Sequence, residues 1–268
     1  MSGGVVEPML FEPTWPAPAR VGACFTTRRG GFSAEPWDTF NLATHVDDDR
    51  DAVARNRDLL SCHLGPGVTP CWMEQVHGDY VARLDEPPRG LCADAAITRV
   101  PGLACVVMVA DCVPILLCTA NGDEVAAVHA GWRGLAAGIV ARTVASFATR
   151  PSRLLAWVGP CIGADAYVVD ASLRTRFLTL DAGAETCFQH RSTRWHLDLH
   201  ALARRQLDGA GVGAVHGAPC CVHADAERFY SYRRDGVTGR MAALIWIRPD
   251  RTVVSDATPL GTPASRRG

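Results

Sequence analysis

Residues 93–147 read ADAAITRVPGLACVVMVADCVPILLCTANGDEVAAVHAGWRGLAAGIVARTVASF, and this stretch decides the fold class. Four short apolar runs, Ala93–Thr98, Leu103–Val109, Pro114–Cys118 and Glu124–His129, are rich in Val and Ile and are broken by Gly, Pro and Asn. Runs of this length between turn residues read as strands. The period then changes. Leu135, Ile139, Val140, Val144 and Phe147 share one face of a helix over Leu135–Phe147.

Outward from this block, Val21–Thr27 reads as a strand and Arg28–Gly31 as a turn. Asp49–Leu64 reads as a helix that starts behind the carboxylates of Asp47, Asp48 and Asp49. Leu154–Val158 is a further strand, Ala171–Leu180 and Leu197–Leu207 are helices, and Gly239–Ile247 is a closing strand. Strand clusters mixed with four helices predict an α+β layered fold, without regular βαβ alternation. No linker or repeat interrupts it. Residues 21–248 are expected as a single domain, with Pro-rich 1–20 and 249–268 as loose tails.

The composition narrows the function classes. The 268 residues are 48% apolar and 21% charged with net charge −1, which excludes a disordered chain and offers no basic excess for nucleic acid. All 27 basic residues are arginine, so a Schiff-base or Walker lysine is excluded. Met1–Pro18 has no basic n-region, and no apolar run approaches the ~20 residues of a membrane span. The eleven cysteines contain no CxxC pair and read as free thiols of a reducing cytoplasm, most of them packing the core. These features predict a cytoplasmic small-molecule enzyme that uses neither nucleic acid nor membrane; they leave its number of subunits open.

Three segments place a metal-capable side chain at the end of an apolar run: His77 in Gln75–Gly78, Cys112 after Leu103–Val109, and His129 before Gly131. Two imidazoles and a thiolate suit zinc, with a fourth position left for water or substrate. The same Cys112 and His129 also suit a metal-independent hydrolase, with the thiol as nucleophile and the imidazole as base. The spacing is no local metal signature, so buried structural roles stay open. His196 and His200, i and i+4 on a predicted helix, lack the glutamate of a zincin motif and read as surface or packing residues. Cys161 likewise reads as packing. Arg28, Arg133 and Arg233 stand beside glycine-rich turns and are candidate seats for phosphate or carboxylate, with solvated turn arginines as the alternative. Asn41 and Gln75 are candidate amides for orienting a polar substrate.

Six segments in order carry a resemblance: Phe25–Ser33, Gln75–Gly78, Ala110–Cys112, His129–Gly134, Gly159–Gly163 and Ser231–Arg240. With them the chain closely resembles the YfiH/PgeF family, also called the polyphenol-oxidase laccase-domain family, over about residues 21–247. The resemblance implies packed mixed β-sheets flanked by helices, a cysteine-hydrolase-type layered fold. It implies that His77, Cys112 and His129 bind one zinc ion, with copper an in vitro substitute. It also implies phosphorolysis of adenosine, inosine and 5′-methylthioadenosine, with deamination of adenosine. A second implied activity is peptidoglycan editing, hydrolysis of the amide of the UDP-linked muramic-acid precursor UDP-MurNAc-L-serine. The word laccase does not fit well, because the nine histidines are scattered and form no paired clusters. Val168 and Val222 depart from the family pattern, which often has Glu and Thr there, and bear on the pocket wall.

Overall fold

The central strands are apolar on both faces because both faces are covered. The computed structural model describes residues 9–87 and 90–249. In chain order its elements begin with β1 (Leu10–Phe11), β2 (Val21–Thr26), α1 (Arg50–Leu64), β3 (Thr69–Cys71), β4 (Val81–Leu84) and β5 (Ala95–Thr98). Then come β6 (Leu103–Val109), β7 (Val113–Thr119), β8 (Val125–Ala130), α2 (Trp132–Ala137), α3 (Ile139–Ser146) and β9 (Leu154–Val158). The second half holds β10 (Val168–Val169), α4 (Ala171–Leu180), β11 (Phe188–Arg191), β12 (Arg194–Leu197) and α5 (Leu199–Gly209). It closes with β13 (Ala214–His216), α6 (Tyr232–Asp235) and β14 (Met241–Ile247).

Two mixed sheets form the body, β1-β2-β14-β6-β3 and β13-β9-β7-β8-β5-β4, with a small antiparallel sheet β10-β12-β11 at the side. Strand parity shows how they stack. Cys105 and Val107 of β6 pack with Leu116 and Cys118 of β7 and with Val125 and Ala127 of β8, so the two sheets meet face to face. Ala104, Val106 and Met108 point the other way, onto Phe40, Leu42 and, from α1, Leu60. Ile115, Leu117, Ala126 and Val128 point outward onto Ile139, Val140 and Val144 of α3 and Leu202 of α5. The result is a single α+β domain of four layers, helix on sheet on sheet on helices, as expected of two sheets whose faces are all apolar.

Local signals account for the helix ends. Asp49 caps α1 by accepting the Asp51 N–H, Asp170 caps α4 through Leu173, and Asp198 caps α5 through Ala201. Three expectations need correction. The predicted helix Leu135–Phe147 is two helices, broken where Gly138 takes φ +91° and turns its N–H back to Gly134 and Leu135. The last predicted helix begins at Leu199, so His196 lies on strand β12 and does not share a helix face with buried His200. Part of the expected N-terminal tail is built into the sheet, since Leu10 and Phe11 pair with Thr26 and Phe25. Trp15 and Ala17 of the same segment pack against the core between the sheets, and of the expected tails only residues 1–8 and 250–268 lie outside the described residues. No helix among the described residues is long and apolar enough to cross a membrane.

Candidate metal centre

Strand register brings the candidate ligands together. In the six-stranded sheet Ala95 of β5 stands opposite Val128 of β8, and Val113 of β7 opposite Ala130 of β8. Asp94 and Cys112 each sit one residue before their strands, and His129 is the next-to-last residue of β8. Ala96, Leu116 and Ala127 face the space between the sheets. A period of two therefore directs Asp94, Cys112 and His129 to that same side, at one end of the sandwich. His77 arrives from the β3–β4 loop. The donor atoms of His77, Cys112 and His129 lie within 4.8 Å of one another.

Asp94 organises this end of the molecule. Its fully buried carboxylate accepts the backbone N–H groups of Val76 (3.2 Å), His77 (2.9 Å) and Gly78 (2.6 Å) and stands 2.8 Å from His129 Nδ1. Burial alone would raise this carboxyl, but the His129 and backbone hydrogen bonds hold it below the usual carboxylate range. An ionised carboxylate only accepts, so His129 Nδ1 must donate, and Nε2 is left to face the cluster. The same carboxylate holds the loop in which His77 takes a left-handed φ of +60°. The two imidazoles meet edge to face with centroids 4.7 Å apart.

The electrostatics set Cys112 apart from the other cysteines. Burial would raise its thiol, but the His129 charge and the hydrogen bonds of both imidazoles bring it down to about 6. His129 moves the opposite way. Desolvation disfavours its charge, yet the Cys112 thiolate and Asp94 carry it to about 9. By contrast, burial pushes Cys24 and Cys118 up to about 12 and drives buried Cys161 well above the ordinary thiol range. A Cβ added at Gly131 would stand 3.0 Å from Cys112 Sγ and 3.1 Å from His77 Cδ2, so the helix start is bare of a side chain where the ligands crowd it. Two imidazole nitrogens and a thiolate are a donor set that fits zinc or copper.

Beside Cys112, Asp111 takes φ +101°, a conformation costly for a residue with a side chain, and its carboxylate is spent on a neighbour. Ser231 Oγ donates to it at 2.6 Å and the Arg233 N–H at 2.7 Å. Burial holds this carboxyl above its usual range. Ser231 in turn caps α6 by accepting the Arg234 N–H. The strand end that carries Cys112 is thereby tied to the short helix that carries Tyr232 and Arg233.

A cavity of about 450 Å³ opens over the cluster, its far wall formed by His45, Tyr167, Tyr232, Arg233 and Arg240. The sequence candidates divide here. Arg233 reaches the cavity with its guanidinium 5.0 Å from the Tyr167 ring centroid and donates to the Val168 carbonyl. Gln75 also lines it, but its amide pairs with the backbone of Met108 through two hydrogen bonds of 2.7 and 2.8 Å. Asn41 lies buried behind the site, where its oxygen accepts the Arg240 N–H. Arg28 is tied to Asp38 and the Ala226 carbonyl, and exposed Arg133 lies over Trp132; neither belongs to the cavity wall. Asp94, Asp111, His45 and Arg240 belong to the site without being among the sequence candidates. Asp94 had a signal: it is a lone charge inside the apolar run from Cys92 to Ile97.

Known proteins carry the same architecture. A purine nucleoside phosphorylase of Pseudomonas aeruginosa is 48% identical over 240 residues, 89% of this chain and 98% of the relative. The purine nucleoside phosphorylase YfiH of Escherichia coli is 44% identical over 239 residues, again 89% of this chain and 98% of the relative. Among solved structures, a Neisseria meningitidis protein superposes with TM-score 0.87 at 41% identity, covering 90% of this chain and all of that one. The YfiH protein of Bacillus licheniformis superposes with TM-score 0.82 at 29% identity, over 85% of this chain and 93% of its own. Residues 22–248 match the family described as multi-copper polyphenol oxidoreductase laccase, and with a match that runs the length of the fold this chain belongs to that family, the family of the YfiH proteins.

Proposed function

We propose that this chain is a purine nucleoside phosphorylase that works with a zinc ion at His77, Cys112 and His129, and that it deaminates adenosine in the same cavity. The observation that carries the reading is one cavity holding the His-Cys-His donor set on one wall and the Arg233 and Arg240 guanidinium groups on another. The relatives named as purine nucleoside phosphorylases support it. A zinc ion bound there would supply a Lewis acid that polarises a reactant.

The residues of the chain have separate tasks. Arg233 and Arg240 would seat phosphate, whose oxygen forms a bond to C1′ of the ribose as the bond from C1′ to the purine nitrogen breaks. The products are a free purine and ribose 1-phosphate, with the purine taking up a proton. Burial lowers the Arg240 pKa from its ordinary value, a sign that its charge sits where water is partly excluded and electrostatic contacts are strong. Asn41 fixes the Arg240 backbone, and Asp111 with Ser231 fixes that of Arg233, so both guanidinium groups hang from braced segments.

The test is a substrate comparison on purified protein. Adenosine with phosphate should yield adenine and ribose 1-phosphate, and adenosine alone should yield inosine. If UDP-MurNAc-L-serine is consumed at a useful rate while adenosine is untouched, the phosphorylase reading is wrong and the editing amidase takes its place. Activity that survives exhaustive chelation but dies with a thiol alkylator would instead point to the metal-independent Cys112–His129 hydrolase.

A further inference from the structure

The far wall of the cavity over the cluster has a second side. Tyr167 and Arg233 also line a second hollow of about 670 Å³ that runs outward along β10, β12 and the start of α4. Both hollows fall within the usual range of small-molecule pockets, about 300–1,000 Å³. Three aromatic side chains line this groove, Trp132, Tyr167 and Trp195. Three guanidinium groups stand around it, those of Arg176, Arg194 and Arg233.

The charge of the groove is not cancelled from within. Its one carboxylate, Asp170, is engaged by the Ser172 hydroxyl and the Leu173 N–H at the start of α4. The guanidinium groups of Arg176 and Arg194 have no hydrogen-bonding or carboxylate partner among the described residues, whereas that of nearby Arg174 is paired with Glu185. Paired Arg174 lies over the Trp195 ring at 4.3 Å, and Arg176 and Arg194 line the same groove without such a partner. Free guanidinium groups in a groove with aromatic walls recognise an anion attached to a flat or apolar body, because the fork binds phosphoryl oxygens in pairs.

We infer that this groove is a subsite for the phosphoryl group of a phosphorylated substrate, a purine nucleoside carrying a phosphate or diphosphate ester beyond its ribose. The inference rests on the proposed phosphorylase reading and takes the nucleoside to lie in the cavity over the His-Cys-His cluster. What the nucleoside carries past the ribose then passes Tyr167 and Arg233 into the groove. A free nucleoside would leave Arg176 and Arg194 unused.

The experiment is a binding measurement by calorimetry in phosphate-free buffer, so that no phosphorolysis occurs. The probes are inosine, which has no amino group to lose, and inosine 5′-diphosphate. The diphosphate should bind about tenfold or more tightly than inosine at low salt, and the preference should shrink as salt rises. In the R176A/R194A variant, with circular dichroism and Tm unchanged, the preference should fall to within about twofold. Equal binding of the two probes to the wild type would overturn the inference. So would a preference that survives either the double substitution or high salt. Inorganic phosphate titrated into both proteins separates the two sources of phosphoryl oxygen. If the variant loses inorganic phosphate and keeps the diphosphate preference, the groove seats the co-substrate and the inference fails. A diphosphate preference in a protein that forms no hypoxanthine from inosine and phosphate would count against the phosphorylase reading alone.

Discussion

The carboxylate of Asp94 lies 2.8 Å from Nδ1 of His129 while it also accepts three consecutive N–H groups of the loop that carries His77. One buried side chain thus aims one ligand and shapes the backbone of another. Such carboxylate–histidine partners orient the ring and increase its basicity toward a metal.

Asp94→Asn should therefore weaken the centre without emptying the fold. The asparagine amide has two N–H donors of its own, and Asp94 is surrounded by four donors, so at least one contact turns from attractive to repulsive. Zinc affinity, read by competition with a chromogenic chelator, should fall about 10–100-fold. Thermal unfolding should show a loss of about 1–3 kcal/mol. An unchanged zinc affinity would remove Asp94 from the account of the centre.

Metal-stripped protein should show a thiol out of keeping with its half-buried position. A thiol lowered to about 6 is mostly thiolate at pH 7, whereas Cys24, Cys71 and Cys118, raised to about 12, 11 and 12, stay protonated. Alkylation of Cys112 should rise with pH to half its plateau near pH 6, and bound zinc should block it. His129→Ala removes the largest charge that favours the thiolate and should move the midpoint upward. Peptide mapping by mass spectrometry reads the result, and a midpoint above pH 8 in the wild type would contradict the assignment.

Gly131→Ala tests the crowding at the start of α2. The added Cβ would meet Cys112 Sγ at 3.0 Å and His77 Cδ2 at 3.1 Å, so the ligands must move apart. Metal affinity and turnover should fall about tenfold or more, since a site displaced by a fraction of an ångström loses its donor geometry. Gly209→Ala, where a Cβ meets nothing within 4 Å, is the matched control and should leave both unchanged.

Ser231→Ala separates the arginine wall from the metal wall. It removes the cap of α6 and one of the two donors to buried Asp111. Stability should drop by about 1–2 kcal/mol. Steady-state kinetics should show KM for phosphate raised severalfold, while zinc content stays that of the wild type. Loss of zinc with an unchanged KM would break the link drawn between Asp111 and Arg233.

Much of the fold was legible from local signals. Leu103–Val109 and Leu154–Val158 are strands with the predicted bounds, because both are uninterrupted apolar runs between turn residues. Ala171–Leu180 is likewise the helix predicted, behind the capping Asp170. Gly138 shows where pattern reading failed: the apolar spacing continues across it, but one glycine in the left-handed region is enough to end a helix. β11 and β12 escaped notice because Gln189, His190, Arg191 and Arg194 are polar and exposed, so no apolar alternation marks them.

The site was legible only in part. Cys112 and His129 could be named because each ends an apolar run, and the family resemblance joined them to His77. Asp94 and Asp111 could not be assigned roles, since their partners His129 and Ser231 lie 35 and 120 residues away. Register between strands, which local sequence does not display, makes those contacts. For the same reason Arg28 and Asn41 looked available in sequence, while the fold commits them to Asp38 and to Arg240.

The most direct measurement takes zinc content and product formation from the same preparation. Wild-type protein and Cys112→Ala, each checked for folding by circular dichroism, are assayed for metal and then given inosine with phosphate. The wild type should hold about one zinc per chain and release hypoxanthine and ribose 1-phosphate in equal amounts. Cys112→Ala should lose both the zinc and the products. Undiminished phosphorolysis by zinc-free Cys112→Ala would contradict the metal centre as the seat of the reaction.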